Sequence, residues 1–304
     1  MNDSSGHGTL GEALGNVDEP VGEARPIIPT GESPLDVPFA RPVYAAPSWP
    51  SDPLLLHDET RRNTWADLGW FLVLGVVIEL LINAAVKVVA TVWLNVPPDP
   101  SDEVLDELKR KILVPTIAAR AGGWIVAIRW LLRRRGQGFR SVGLSTWVLP
   151  LNLVIGLLIL VVAYGMIGVT MYTIWMLWPD IEDPGENARR IMAFIPKLKP
   201  WQFVPLAALI GIYEELIFRG FLMPRLRRAL GGWTLAVILT TTVFTALHAI
   251  EQTRAALIVV AILSLIFSLV TIWRRSIVPA IVAHGLFNLS QFLLLYWFAG
   301  KEWS

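Results

Sequence analysis

Long apolar runs constrain this chain more than any other feature. The stretch from 149 to 177 carries no acidic or basic side chain. At ~1.5 Å of rise per residue, a helix of this length exceeds the ~30 Å of a bilayer's hydrocarbon layer. Comparable runs lie at about 66 to 94, 112 to 132, 202 to 222, 233 to 250, 255 to 273 and 277 to 299. In lipid the backbone must satisfy its own hydrogen bonds, so such runs form helices. The expectation is an all-α, polytopic transmembrane bundle of about seven spans. Many of the 14 tryptophans, among them Trp65, Trp93, Trp178 and Trp233, lie at span edges, where an indole meets the headgroup layer.

Residues 1–62 are rich in Gly, Pro, Ser and acidic side chains and show no sustained hydrophobic period, which predicts a disordered N-terminal tail. Nothing in the tail resembles a cleavable signal peptide, so the first span is expected to direct insertion. Two further divisions follow: N-terminal transmembrane helices over 63–180 and a polar-bearing transmembrane core over 181–304. Basic clusters fall in alternate connections, at Arg61 and Arg62, at Arg133 to Arg135 and Arg140, at Arg225, Arg227 and Arg228, and at Arg274 and Arg275. Intervening connections are acidic or mixed. The positive-inside rule therefore predicts a multi-pass protein of the cell membrane with a cytoplasmic N-terminus and the C-terminus outside. A net charge of +1, with arginines grouped beside spans, argues against nucleic-acid binding. Without cysteine there is no disulfide, thiolate nucleophile or thiolate metal site.

Ionisable groups inside spans are costly and mark functional positions or helix contacts. Glu79, Asn83 and Lys87 recur at one-turn spacing on the first span and, with Arg120 of the second, read as helix-to-helix glue. The later spans differ. Glu214 and Glu215 are adjacent, and Glu215 shares a helix face with Arg219, leaving Glu214 rotated by ~100° toward a different environment. A carboxylate in that position suits a general base acting on water. Phe244 precedes His248 by one turn and can pack on its ring. His284 and Asn288 also share a face, and together they can donate to a developing oxyanion. Gly285 beside them keeps the helix narrow and permits close approach of another backbone.

These spacings resemble the CAAX protease and bacteriocin-processing family of intramembrane endopeptidases, including its type II CAAX prenyl endopeptidase members. The family's Glu-Glu-x-x-x-Arg, Phe-x-x-x-His and His-x-x-x-Asn motifs appear in order as Glu214-Glu215 with Arg219, Phe244 with His248, and His284 with Asn288. The resemblance covers about residues 200 to 292. It implies an intramembrane, glutamate-dependent endopeptidase acting on a membrane-associated or C-terminal CAAX-like substrate. Glu214 would activate water, His248 would help to position it, and His284 with Asn288 would stabilise the oxyanion. Glu215, Arg219 and Phe244 would support them. The partners implied are a peptide or protein substrate and the lipid bilayer; oligomeric state is not indicated.

Glu214, Glu215, His248 and His284 are also acceptable ligands for zinc or another divalent ion. Adjacent glutamates do not face one point, however, and the chain lacks a His-Glu-x-x-His pair. A metal-free mechanism without cofactor is therefore the favoured expectation. Two readings from other classes are a non-catalytic scaffold of the same fold and a proton-coupled transporter. Straight helices would leave His248 and His284 at different depths, so a joint site requires tilt or shifted span boundaries. Glu214, just inside the cytoplasmic half, favours a cavity open to the cytoplasm.

Overall fold

The computed structural model describes residues 54, 56, 60–144, 148–178, 180–181, 185–195 and 198–299. Most of the tail expected over 1–62 lies outside the described residues. Of its described residues, Leu54 and Leu56 are buried, and Leu54 sits close to Gly143. Thr60 caps the first helix by accepting from the Asn63 N–H at 3.2 Å.

All regular structure among the described residues is helical. Helix α1 spans Arg61–Val88 and ends in a π-helical turn, Val89–Trp93; α2 spans Asp102–Arg133, α3 Leu149–Leu177 and α4 Glu186–Phe194. Helix α5, Pro200–Glu215, runs on through π-helical Leu216–Leu222 into α6, Met223–Leu230; α7 spans Trp233–Leu247, α8 Arg254–Arg274 and α9 Val278–Ala299. Five helical stretches among the described residues are long and apolar enough to cross a bilayer: Arg61–Trp93, Asp102–Arg133, Leu149–Leu177, Arg254–Arg274 and Val278–Trp297. Helix α7 is apolar but shorter. The expected fourth span carries three charges and is interrupted by π-helical turns, so the count of seven is not reached by length and composition. The protein is a multi-pass integral membrane protein. Helix α4, within a stretch expected to be a connection, is an addition that no apolar run announced.

Helix α9 is the centre of the packing, with α5, α3 and α8 around it. Two glycines make that possible. A Cβ at Gly211 would come within 2.9 Å of the Gly285 backbone nitrogen, and one at Gly156 within 2.7 Å of Val282. The glycine that the close approach of α5 to α9 requires is Gly211 rather than Gly285, where a Cβ would meet nothing nearer than the Ala207 carbonyl oxygen at 3.6 Å. Ser276 caps α9 through Val278 N–H to Oγ at 3.2 Å.

The basic connections converge on one end of the bundle. Buried Asp67 accepts from Arg135 at 3.0 Å and pairs with Arg225 at 3.5 Å. The Ile277 N–H donates to the Gly143 carbonyl at 3.1 Å, tying the α8–α9 connection to the α2–α3 connection. Gly220 packs against Val142 and Ile277, level with the start of α9. Six residues back from Gly220 and seven on from Ile277, Glu214 and His284 therefore share a depth. The depth conflict disappears because α6 projects past the start of α9 as an arginine-rich amphipathic extension of the Glu214 helix.

Candidate active site

Glu215 and Arg219 are fully buried, which is tolerable only because each charge is matched. Arg219 Nη1 donates to Glu215 Oε1 at 2.8 Å, the expected one-turn pair, and Nη2 donates to the Ser264 carbonyl at 3.1 Å. The guanidinium also lies 4.6 Å from the Phe244 ring centroid and 5.7 Å from that of Phe267. His284 Nδ1 lies 2.8 Å from the same Glu215 oxygen. Since a carboxylate accepts, Nδ1 carries the proton, and Nε2 is turned away from Glu215.

Glu214 points elsewhere, as its rotation on the helix requires. Its Oε1 accepts from the Tyr213 hydroxyl at 3.1 Å. Its Oε2 is buried with no protein hydrogen bond and lies 3.8 Å from His284 Nε2. His284 is thus gripped by one glutamate and faced by the other, while Phe267 stacks on its ring at 5.5 Å.

Phe244 links the remaining residues. It contacts His248 at 4.5 Å, His284 at 6.1 Å and Phe218 at 4.9 Å between ring centroids. His248, at the end of α7, donates from Nδ1 to the Phe244 carbonyl at 2.8 Å, which leaves Nε2 as an acceptor. Among the described residues His248 makes no hydrogen bond or ion pair with Glu214. The two meet across a shared cavity of about 920 Å³, which Glu214, His248, His284 and Asn288 all line. Asn288 follows His284 by one turn on the same wall.

Three lining residues were not assigned to the site from the sequence. Tyr213 was adjacent to the motif, and a tyrosine far from the span edge needs a hydrogen-bond acceptor, which was the available signal. Arg120 forms the expected pair with Glu79, bidentate at 2.8 Å, and also lines the cavity. Glu251, in the α7–α8 connection, lines it from the exposed rim; partial desolvation against the cavity wall raises its carboxyl above its ordinary value, with His248 and Arg120 opposing and the Glu214 charge adding to the rise. As for a metal, Glu215 Oε1 is spent on Arg219 and His284, while its Oε2 is buried without a hydrogen bond and Glu215 does not line the cavity. Among the described residues no three His, Cys, Asp or Glu side chains are grouped as ligands.

A protein-family model described as type II CAAX prenyl endopeptidase Rce1-like matches residues 196–290. This segment belongs to the CAAX protease family. The match takes in all three motifs, and because the family is one of proteases it supports peptidase activity in general. No curated protein and no solved structure matches the chain.

Proposed function

We propose that the protein is an intramembrane endopeptidase in which Glu214 is the general base. The observation that carries this reading is the contrast between two adjacent carboxylates. Each keeps one buried oxygen without a protein donor, but Glu215 holds Arg219 and His284 through its other oxygen and does not line the cavity, whereas Glu214 lines it with Oε2 3.8 Å from the imidazole that Glu215 orients. A water held at Glu214 Oε2 transfers its proton to the carboxylate as its oxygen attacks the peptide carbonyl. His248 Nε2, an acceptor because Nδ1 is engaged, orients that water. His284, when doubly protonated against Glu215, offers Nε2–H to the oxyanion, and the Asn288 carboxamide offers a second donor. The proton on Glu214 then passes to the leaving amine.

Every step uses side chains on the cavity wall, and the donor set supports a route that needs no metal or other cofactor. The substrate is a peptide bond in a membrane-associated or C-terminal CAAX-like segment. Convergence of the arginine-rich connections on one end supports an orientation in the cell membrane with that end, and the N-terminus, in the cytoplasm.

The test compares peptide termini in cells carrying the wild-type chain with those in cells carrying Glu214→Gln at equal expression. Termini present only with the wild type support the reading and name the target. Identical sets would overturn it.

A further inference from the structure

The cavity runs from the Glu214–His284 pair in one direction. Beyond His284 on α9 its wall continues through Asn288 and Gln291. Around its mouth stand Trp178 at the end of α3, Asn187 on α4, and Glu251 and Gln252 between α7 and α8. All of these belong to connections opposite the arginine-rich end. Helix α4 is fastened at this mouth: Asn187 accepts from the Thr253 N–H at 3.0 Å, and Arg190 donates to the Gln252 carbonyl at 3.4 Å. On the other side of Glu214 the way is closed by packed residues, with Leu216, Ile217, Phe218 and Phe221 buried against Ile128, Leu131 and Val142.

The two ends differ in charge as well as in openness. Connections at the closed end carry Arg61, Arg62, Arg133 to Arg135, Arg140, Arg225, Arg227, Arg228, Arg274 and Arg275, with Asp67 as their buried counter-charge. Those at the open end are mixed, with Asp99, Asp102, Glu103, Asp106, Glu107, Asp180, Glu186 and Glu251 beside Lys109 to Lys111, Arg189, Arg190, Lys197, Lys199 and Arg254, eight basic residues against the eleven of the closed end. Positively charged connections stay on the cytoplasmic side during insertion. The depth of Glu214 therefore misleads: although nearer the arginine-rich end, it is reached from the other.

We infer that the cavity opens on the non-cytoplasmic face of the membrane, and that its substrate is a peptide segment presented from that side. This rests on the endopeptidase reading for the word substrate, but the opening itself does not. It narrows the substrate to exported or membrane-inserted segments whose scissile bond is outside the cytoplasm. The segment's apolar residues lie against Ile191, Phe194 and Trp175, and its polar backbone meets Asn187 and Gln252 at the mouth.

The chain's lack of cysteine makes the test direct. Single variants Glu251→Cys and Asp180→Cys at the mouth, and Arg140→Cys at the other end, are expressed in spheroplasts and exposed to a membrane-impermeant maleimide. Two mouth positions guard against one variant failing to fold. The inference expects the mouth cysteines to label in closed spheroplasts and Arg140→Cys to label only after lysis. The reverse pattern overturns it, as does labelling of all three without lysis. Because labelling needs no peptidase activity, its failure is distinct from failure of the Glu214→Gln comparison. Within that comparison, Glu214-dependent termini that all map to cytoplasmic segments would also overturn the inference.

Discussion

Two glutamate–arginine pairs in this protein close at the same 2.8 Å and differ in use. Glu79 and Arg120 join α1 to α2 through two 2.8 Å hydrogen bonds, with side chains 41% and 32% exposed. Glu215 and Arg219 also meet at 2.8 Å, but are 0% and 1% exposed, and Glu215 holds His284 with the same oxygen. The first pair can be lost with its helices still packed by apolar contacts. The second cannot lose a member without stranding a charge and freeing an imidazole. Burial and the third partner, not the pair itself, separate glue from positioning.

Several substitutions sharpen or break that comparison. The largest effect belongs to neither pair but to the carboxylate they leave free: Glu214→Gln should lower turnover by about 100- to 10,000-fold, the span attributed to a general base, with the fold retained. Turnover of a substrate peptide and detergent melting of the same preparation check both halves. Arg219→Ala should destabilise by about 3–5 kcal/mol, because Glu215 remains buried without its counter-charge; thermal unfolding measures it. Tyr213→Phe removes one hydrogen bond to the Glu214 carboxylate and should lower kcat by about 10- to 100-fold with KM and melting temperature unchanged. Steady-state kinetics would detect the split. Glu79→Gln should cost only about 0.5–1.5 kcal/mol and leave kcat in place. If it equalled Arg219→Ala, the contrast between the pairs would fail.

The smallest effect concerns pH. The Glu251 carboxyl is raised above its ordinary 4.5, so the folded state binds the proton more tightly than the unfolded one. Stability should fall as pH rises from about 4.5 through that raised value, and the full loss persists above it. Glu251→Gln should flatten this limb, shifting the neutral-pH melting temperature by no more than about 2–4 °C.

Much of this was legible in the residues. One-turn spacing pointed to the Glu215–Arg219 pair and the Phe244–His248 contact, and the cost of charge inside spans pointed to the Glu79–Arg120 glue, whereas the need for Gly211 in the close approach of α5 was not legible. Depth was not legible, because hydropathy cannot say how far a helix projects beyond the layer. Arg225, Arg227 and Arg228 sit on a continuation of the Glu214 helix, and the expected span boundary near 222 hid this. Helix α4 was hidden because its sequence, ENARRIMAF, is polar overall and amphipathic only when folded. The direction of the cavity depends on which helix ends stay apart, which no single span encodes. Tyr213 was overlooked because its role depends on the rotation of its neighbour.

The central claim is that Glu214 acts on water while Glu215 only orients His284. The most direct test reconstitutes the wild type, Glu214→Gln and Glu215→Gln in liposomes with a peptide identified by the terminus comparison, before and after treatment with a chelator. The account predicts wild-type turnover that survives chelation, loss in Glu214→Gln at unchanged stability, and loss in Glu215→Gln accompanied by a lower melting temperature. Cleavage by Glu214→Gln at the wild-type rate would contradict it.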